Sequence, residues 1–177
     1  VFAIDQDSPR FKVNADVTPE SMYASGWKCA GTAVPVFSLR TEDSFGIGDF
    51  HDLKKLVDWV VATGQRVIQL LPVNDTTMTG TWVDTYPYSA NSIYALHPQF
   101  VYLPDAGVRR DSSYKALKAE LEALPELDYE RVNAEKDRLM RKAFSATWAK
   151  VSKSPEYKEF VKVNANSLDA YCAFRIL

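Results

Sequence analysis

Only two cysteines, two histidines and seven glycines occur in these 177 residues, and each scarcity removes a class of protein. Cys29 and Cys172 cannot make a disulfide framework, and neither sits in a CxxC or metal-like spacing. Both are expected to be buried thiols of a reducing compartment, so a cytoplasmic location is expected. With only His51 and His97 available, a metal site lacks donors. Gly46 and Gly48 form a lone GxG with no GxGxxG or Walker pattern after it, so they read as turn glycines. No cofactor is expected. Charge of one sign is lacking too: the formal net charge is −2. That argues against nucleic acid as a partner. No apolar run nears the ~20 residues that span a bilayer, so no membrane association is expected. No signal peptide is visible, although the chain opens on Val1 rather than Met.

What is present is ordinary globular material, with 46% hydrophobic and 25% charged residues and a moderately rich 12% of aromatics. The opening stretch carries Pro9 and Pro19 and no clean periodicity. It reads as an opening segment or linker, residues 1–30, holding one short extended piece. Thr32 to Phe37 is an apolar β-type run, with Pro35 placing a gap in its ladder. A loop with two glycines follows from Ser38 to Gly48. Asp49 is an N-cap, with Asp52 in the first turn. Leu53, Leu56, Val57, Val60 and Val61 then form one helical face. Gly64 ends the helix. Val67 to Leu71 is a second buried strand, stopped by Pro72.

Strand, helix and strand make a βαβ unit with parallel strands and a right-handed crossover. Ligands of such folds bind in loops beyond the carboxyl ends of strands. Here those loops are Ser38 to Gly48 and Val73 to Pro98. The second is long enough to suggest function by itself. Helices are expected over Ser112 to Leu124 and Leu127 to Val151, then a short one opened by Ser154 and Pro155, and a last one over Asn166 to Leu177. The charged helices between Asp111 and Lys162 read as a solvated face or a docking surface. So few parallel strands leave apolar faces bare, which marks an incomplete sheet.

Several blocks occur in an order that carries a resemblance. They are Gly31 to Arg40, Ser44 to Phe50, Gly64 to Thr76, Asp84 to Pro98 (Asp-Thr-Tyr-Pro-Tyr-Ser-Ala-Asn-Ser-Ile-Tyr-Ala-Leu-His-Pro) and Asn166 to Phe174. Together they resemble the first part of glycoside hydrolase family 77, the 4-alpha-glucanotransferases (amylomaltases or disproportionating enzymes). The Ser-Leu-Arg and Asn-Asp-Thr triplets look closest to the plant cytosolic, maltose-using branch and its bacterial relatives. The resemblance implies an α/β fold, an incomplete (β/α)₈ TIM barrel. Residues 31–105 would be its first βαβ part with the substrate loop, and 106–177 a helical insertion and a returning barrel helix. It implies retaining transfer of glucosyl or maltodextrin units between alpha-1,4-glucans such as maltose, glycogen or a starch-like acceptor. Further expected partners are the rest of the parent barrel and upstream starch-binding modules.

Retaining transfer needs two carboxylates ~5 Å apart. The family carries them on later strands, so no catalytic residue is assigned and the fragment is expected to be inactive by itself. The alternative is a non-catalytic glucan-binding or scaffold domain. Asp43, Asp49, Asp75 and Asp84 lie in or near these loops; Asp75 could be paired with Asp84 catalytically, but caps, turns or sugar-hydroxyl acceptors are the preferred reading for all four. The family tyrosine matching Tyr88 stacks on the sugar at the cleavage subsite. Tyr86 stands where the wider family has a small residue, commonly serine. Asp84 reads either as a sugar-hydroxyl acceptor or as a loop fixer. Trp82 reads as a sugar platform or, preferably, a loop anchor. Ser38 lies at the end of the first strand, within reach of substrate. His97 reads as structural.

Overall fold

The computed structural model describes residues 2–3 and 28–176. Its sheet has three strands in the order β1-β3-β2, with β1 Phe2–Ala3, β2 Gly31–Val34 and β3 Val67–Leu70. β2 and β3 run parallel, Gly31 opposite Val67 and Val34 opposite Leu70. β1 adds an antiparallel edge on the other side of β3. It supplies the short extended piece expected in the opening segment, the rest of which lies outside the described residues up to position 27. Gly31 is required by close approach, since a Cβ there would lie 2.7 Å from the Val67 carbonyl oxygen.

β2 stops at Val34, earlier than its apolar run suggests. Pro35 has no N–H to continue the ladder. Its carbonyl instead accepts from both the backbone N–H and the hydroxyl of Ser38, turning Val36–Ser38 into a 3-10 turn.

The crossover helix α1 (Phe50–Ala62) begins in a full capping box: the Asp49 carboxylate accepts from the N–H of His51 and Asp52, and the Asp52 carboxylate accepts from the N–H of Asp49. Asp52 also accepts from the hydroxyls of Thr41 and Ser44, so the cap fixes the preceding loop as well. Gly64, at φ +74°, ends the helix as expected.

Three further helices follow: α2 (Ser112–Glu122) capped by Asp111, α3 (Tyr129–Val151) capped by Asp128, and α4 (Pro155–Ile176). The two helices expected beyond residue 154 are therefore one continuous helix. No Gly or Pro interrupts it after Pro155, and its central polar residues bond back along it: Asn164 Nδ2 donates to the Phe160 carbonyl and Ser167 Oγ to that of Asn164.

The main core lies between the first loop and the helices. Phe45 and Ile47 pack with Leu103, Val108, Tyr114, Leu121, Val132 and Ala143. Gly46 enters this contact at φ +70°, where a Cβ would meet both Leu121 and Val132 at 2.9 Å. The charged helices are thus solvated on one side only. Even Lys136 is buried, its ammonium donating to the Gln99 carbonyl at 2.6 Å. Burial brings its pKa down to about 8, against the pull of Asp49 and Asp52. Within α4, by contrast, no residue is fully buried.

Both cysteines are exposed and free, correcting the expectation of buried thiols. Cys29 lies just before β2, and Cys172 lies on the weakly covered α4.

Candidate functional site

The segment after β3 is a loop closed at its neck. Asn74 bridges Leu96 in antiparallel fashion, Asp75 N–H donates to the Ala95 carbonyl at 2.9 Å, and His97 N–H donates to that of Val73 at 2.9 Å. Loops whose ends meet and whose polar groups bond inward hold a shape without regular structure. Two buried carboxylates do most of that inward bonding.

Asp84 is the first. Its Oδ2 accepts from the backbone N–H groups of Met78 (3.1 Å), Thr79 (2.9 Å) and Gly80 (2.6 Å), and its Oδ1 from the Thr79 hydroxyl at 3.2 Å. Thr76 Oγ1 donates to its carbonyl. Burial alone would raise its pKa, but the three N–H groups outweigh burial and hold it below the ordinary value. Of the two roles open to Asp84, the structure displays loop fixing.

Asp75, fully buried, is the second. Its Oδ1 accepts from the N–H (3.0 Å) and hydroxyl (2.6 Å) of Thr77, and its Oδ2 from the phenol of Tyr171 on α4. Burial again opposes ionisation, and the hydrogen bonds of Thr77 and Tyr171 again win, leaving the pKa lowered. Neither carboxylate has the raised pKa of a general acid, and both are already engaged, Asp84 within the loop and Asp75 by Thr77 and by Tyr171 of α4. An Asp75–Asp84 catalytic pair finds no support in this arrangement.

His97 closes the same network. Its Nδ1 accepts from Gln99 N–H at 3.2 Å, so in the neutral ring Nε2 carries the hydrogen, 3.2 Å from Tyr129 Oη. Burial drives its pKa down to about 4 despite Asp75 4.0 Å away. It is a neutral structural hydrogen-bonder. Among the described residues no group of three or more His, Cys, Asp or Glu could hold a metal.

The outer side of the loop carries aromatic rings. Tyr86, Pro87, Tyr88 and Ser89 form a turn, Ser89 N–H returning to the Tyr86 carbonyl at 3.3 Å. Pro87 at its second position presets the backbone. The Tyr86 and Tyr88 rings sit 5.4 Å apart, and both residues are 60% exposed. Trp82 is half exposed, with its ring 5.9 Å from Tyr129 and its backbone N–H on Glu130, so it spans platform and anchor. Ser38 is exposed, but its hydroxyl is occupied by the Pro35 carbonyl. Tyr86 and Tyr88 are brought together, and Asp84 underpins the same loop from inside. Ser38 belongs to the other strand-end loop.

Sequence reasoning missed Tyr171 and Arg175. Arg175 Nη1 donates to the Thr77 carbonyl at 3.0 Å and lies 3.7 Å from Asp75 Oδ2. Only the placement of Tyr171 within the Asn166 to Phe174 block hinted at a role. Beside these contacts a groove of about 710 Å³ separates the loop from α4, lined by Asn91, Ser92, Tyr94, Asn164, Ser167 and Phe174 among others.

A small, mostly parallel sheet with helices, and a long aromatic loop at a strand's carboxyl end, has the architecture of a partial α/β fold. Residues 34–177 match the family model described as Glyco_hydro_77, 4-alpha-glucanotransferase, and the chain belongs to that family. It is 40% identical over 98% of its length to the 4-alpha-glucanotransferase DPE2 of Oryza sativa subsp. japonica, covering 19% of that protein. It is 31% identical over 97% of its length to the 4-alpha-glucanotransferase of Chlamydia muridarum, covering 31% of it. It is 32% identical over 90% of its length to that of Chlamydia pneumoniae, covering 32%. The chain thus spans between about a fifth and a third of these relatives. Among the described residues no helix is long and apolar enough to cross a membrane.

Proposed function

We propose that this chain is the substrate-loop portion of a retaining 4-alpha-glucanotransferase, which moves glucosyl or maltodextrin units between alpha-1,4-glucans. The observation that carries this reading is the pair of exposed rings, Tyr86 and Tyr88, on a loop fixed from beneath by buried carboxylates in a chain of this family. An aromatic face covers the apolar C–H side of a pyranose while its hydroxyl finds a polar partner. Tyr88 is the stacking residue, Tyr86 and Trp82 extend the contact, and Ser38 borders it from the neighbouring strand end. Asp84 shapes the loop from inside.

The parallel βαβ unit is the start of a (β/α)₈ barrel that the remaining strands would complete. Retaining transfer needs a nucleophilic carboxylate and an acid/base ~5 Å apart. Those groups belong to the remainder of the barrel, and starch-binding modules upstream would help hold polymeric substrate. Maltose is the proposed donor and a glycogen-like glucan the acceptor. Two free thiols fit a reducing, cytoplasmic setting.

The test is glucose release from maltose with a glycogen acceptor, comparing the isolated chain with the full-length enzyme. Glucose release with chain lengthening by the full-length enzyme alone is the expected result. Activity of the isolated chain would reopen the loop carboxylates, and inactivity of both would favour a glucan-binding domain.

A further inference from the structure

The loop that presents Tyr86 and Tyr88 is not self-supporting. Its first residues carry a fully buried carboxylate, Asp75, and two of the groups that hold this region come from the far end of the chain. Tyr171 donates its phenol to Asp75 Oδ2, across 96 positions of sequence. Arg175, one turn further along α4, donates to the Thr77 carbonyl across 98 positions. The same Thr77 carbonyl accepts from Asn91 Nδ2 at 2.8 Å, and Asn91 N–H donates to the Asp75 carbonyl at 2.8 Å. Asn91 lies three residues after Tyr88. A continuous set of hydrogen bonds therefore runs from α4 through Asp75 and Thr77 to Asn91, and so to the tyrosine turn.

The chemistry of this set is suited to fixing position. A buried carboxylate must fill its acceptor sites or bear the cost of desolvation. Thr77 fills one oxygen of Asp75 and Tyr171 the other. Arg175 adds positive charge 3.7 Å away and is itself about one-third exposed, so it can be changed without opening a cavity. Helix α4 has no buried residue, so these polar ties are a principal attachment of its last turns to the loop.

We propose that Tyr171 and Arg175 are positioning residues for glucan transfer: through Asp75 and Thr77 they set the place of Tyr88, without touching the sugar. This rests on the reading of Tyr88 as a substrate contact. Displacing a contact by about 1 Å can cost up to ~100-fold in rate. Loss of one tie out of several is expected to cost less, roughly tenfold in kcat/KM.

The experiment uses the full-length enzyme, with Tyr171→Phe, Tyr88→Ala and the double variant, assayed on maltose with glycogen well below each variant's Tm. Tyr171→Phe keeps the ring and removes only the hydrogen bond. The expected result is a roughly tenfold loss for Tyr171→Phe, and a double variant no slower than Tyr88→Ala alone, because Tyr171 acts through Tyr88. Additive losses, or full activity in Tyr171→Phe, overturn the proposal. Arg175→Gln is the second variant should Tyr171→Phe fail to fold, and Arg175→Lys should recover part of its loss. If Tyr88→Ala is fully active, the substrate reading of Tyr88 fails by itself. Amide exchange over residues 77–91 then decides positioning: faster exchange in Tyr171→Phe sustains it, and unchanged exchange overturns it.

Discussion

The carboxylate of Asp84 and the backbone N–H of Gly80 meet at 2.6 Å, inside a turn where Gly80 takes φ +73°. With the N–H groups of Thr79 and Met78 on the same oxygen, one side chain satisfies three successive backbone donors. That nest makes the outer aromatic surface possible, because it lets the chain reverse without regular structure beneath it.

Asp84→Ala is expected to leave these donors unpaired and to destabilise the protein by about 2–4 kcal/mol. Denaturant unfolding measures the loss. Amide exchange should place the increase at residues 78–80, ahead of any change in the helices.

Tyr88→Ala in the full-length enzyme is expected to lower kcat/KM by roughly 5- to 30-fold, equivalent to about 1–2 kcal/mol of lost stacking. Its exposure predicts little change in Tm. Unchanged kinetics on maltose and maltotriose would remove Tyr88 from the site.

Stability should fall on acidification in two windows. His97 has a folded pKa of about 4 against an ordinary value near 6.5, so the folded state binds fewer protons between them. Its contribution is whole above about pH 6.5 and is lost as pH falls toward 4, about 3 kcal/mol in all. Asp75 and Asp84, both lowered, add a second loss below about pH 4 as they take up protons. Urea midpoints from about pH 2 to 8 test this: the upper window should flatten in His97→Asn while the lower one remains.

Gly48→Ala is expected to cost roughly 3 kcal/mol or more, since the new Cβ would lie 2.1 Å from the Val36 carbonyl oxygen. A soluble, fully folded Gly48→Ala protein with unchanged Tm would contradict the close packing of the first loop against the strand end.

Local rules were legible where one residue decides the outcome. Asp49 and Asp52 announced the helix start, Gly64 its end, and the spacing of Val60 and its neighbours the inward face. Pro35 warned of an interrupted ladder, although not that the strand would end before it. Tyr86 and Tyr88 were singled out by the resemblance carried by the Asp84 to Pro98 block, not by a local rule. Their support was not legible. The ties of Tyr171 and Arg175 to Asp75 and Thr77 join residues far apart in sequence, and no periodicity encodes such a pair. The exposure of Cys172 was missed for a related reason: thiol burial depends on what packs above it, and α4 is only thinly covered. The single helix α4 was read as two because the apolar residues Phe160, Val161, Val163 and Ala165 do not keep to one helical face, while the absence of a breaker decided the matter.

The tie between Asp75 and Tyr171 also orders events in time. A ribosome adds roughly 5–20 residues per second. The 96 positions between the two partners therefore take roughly 5–20 s to synthesise. Until Tyr171 clears the exit tunnel, the Asp75 oxygen it will fill has only water. The aromatic loop is consequently a late-setting part of the nascent chain, and any product cut short before α4 would carry the tyrosines without the clasp that holds them.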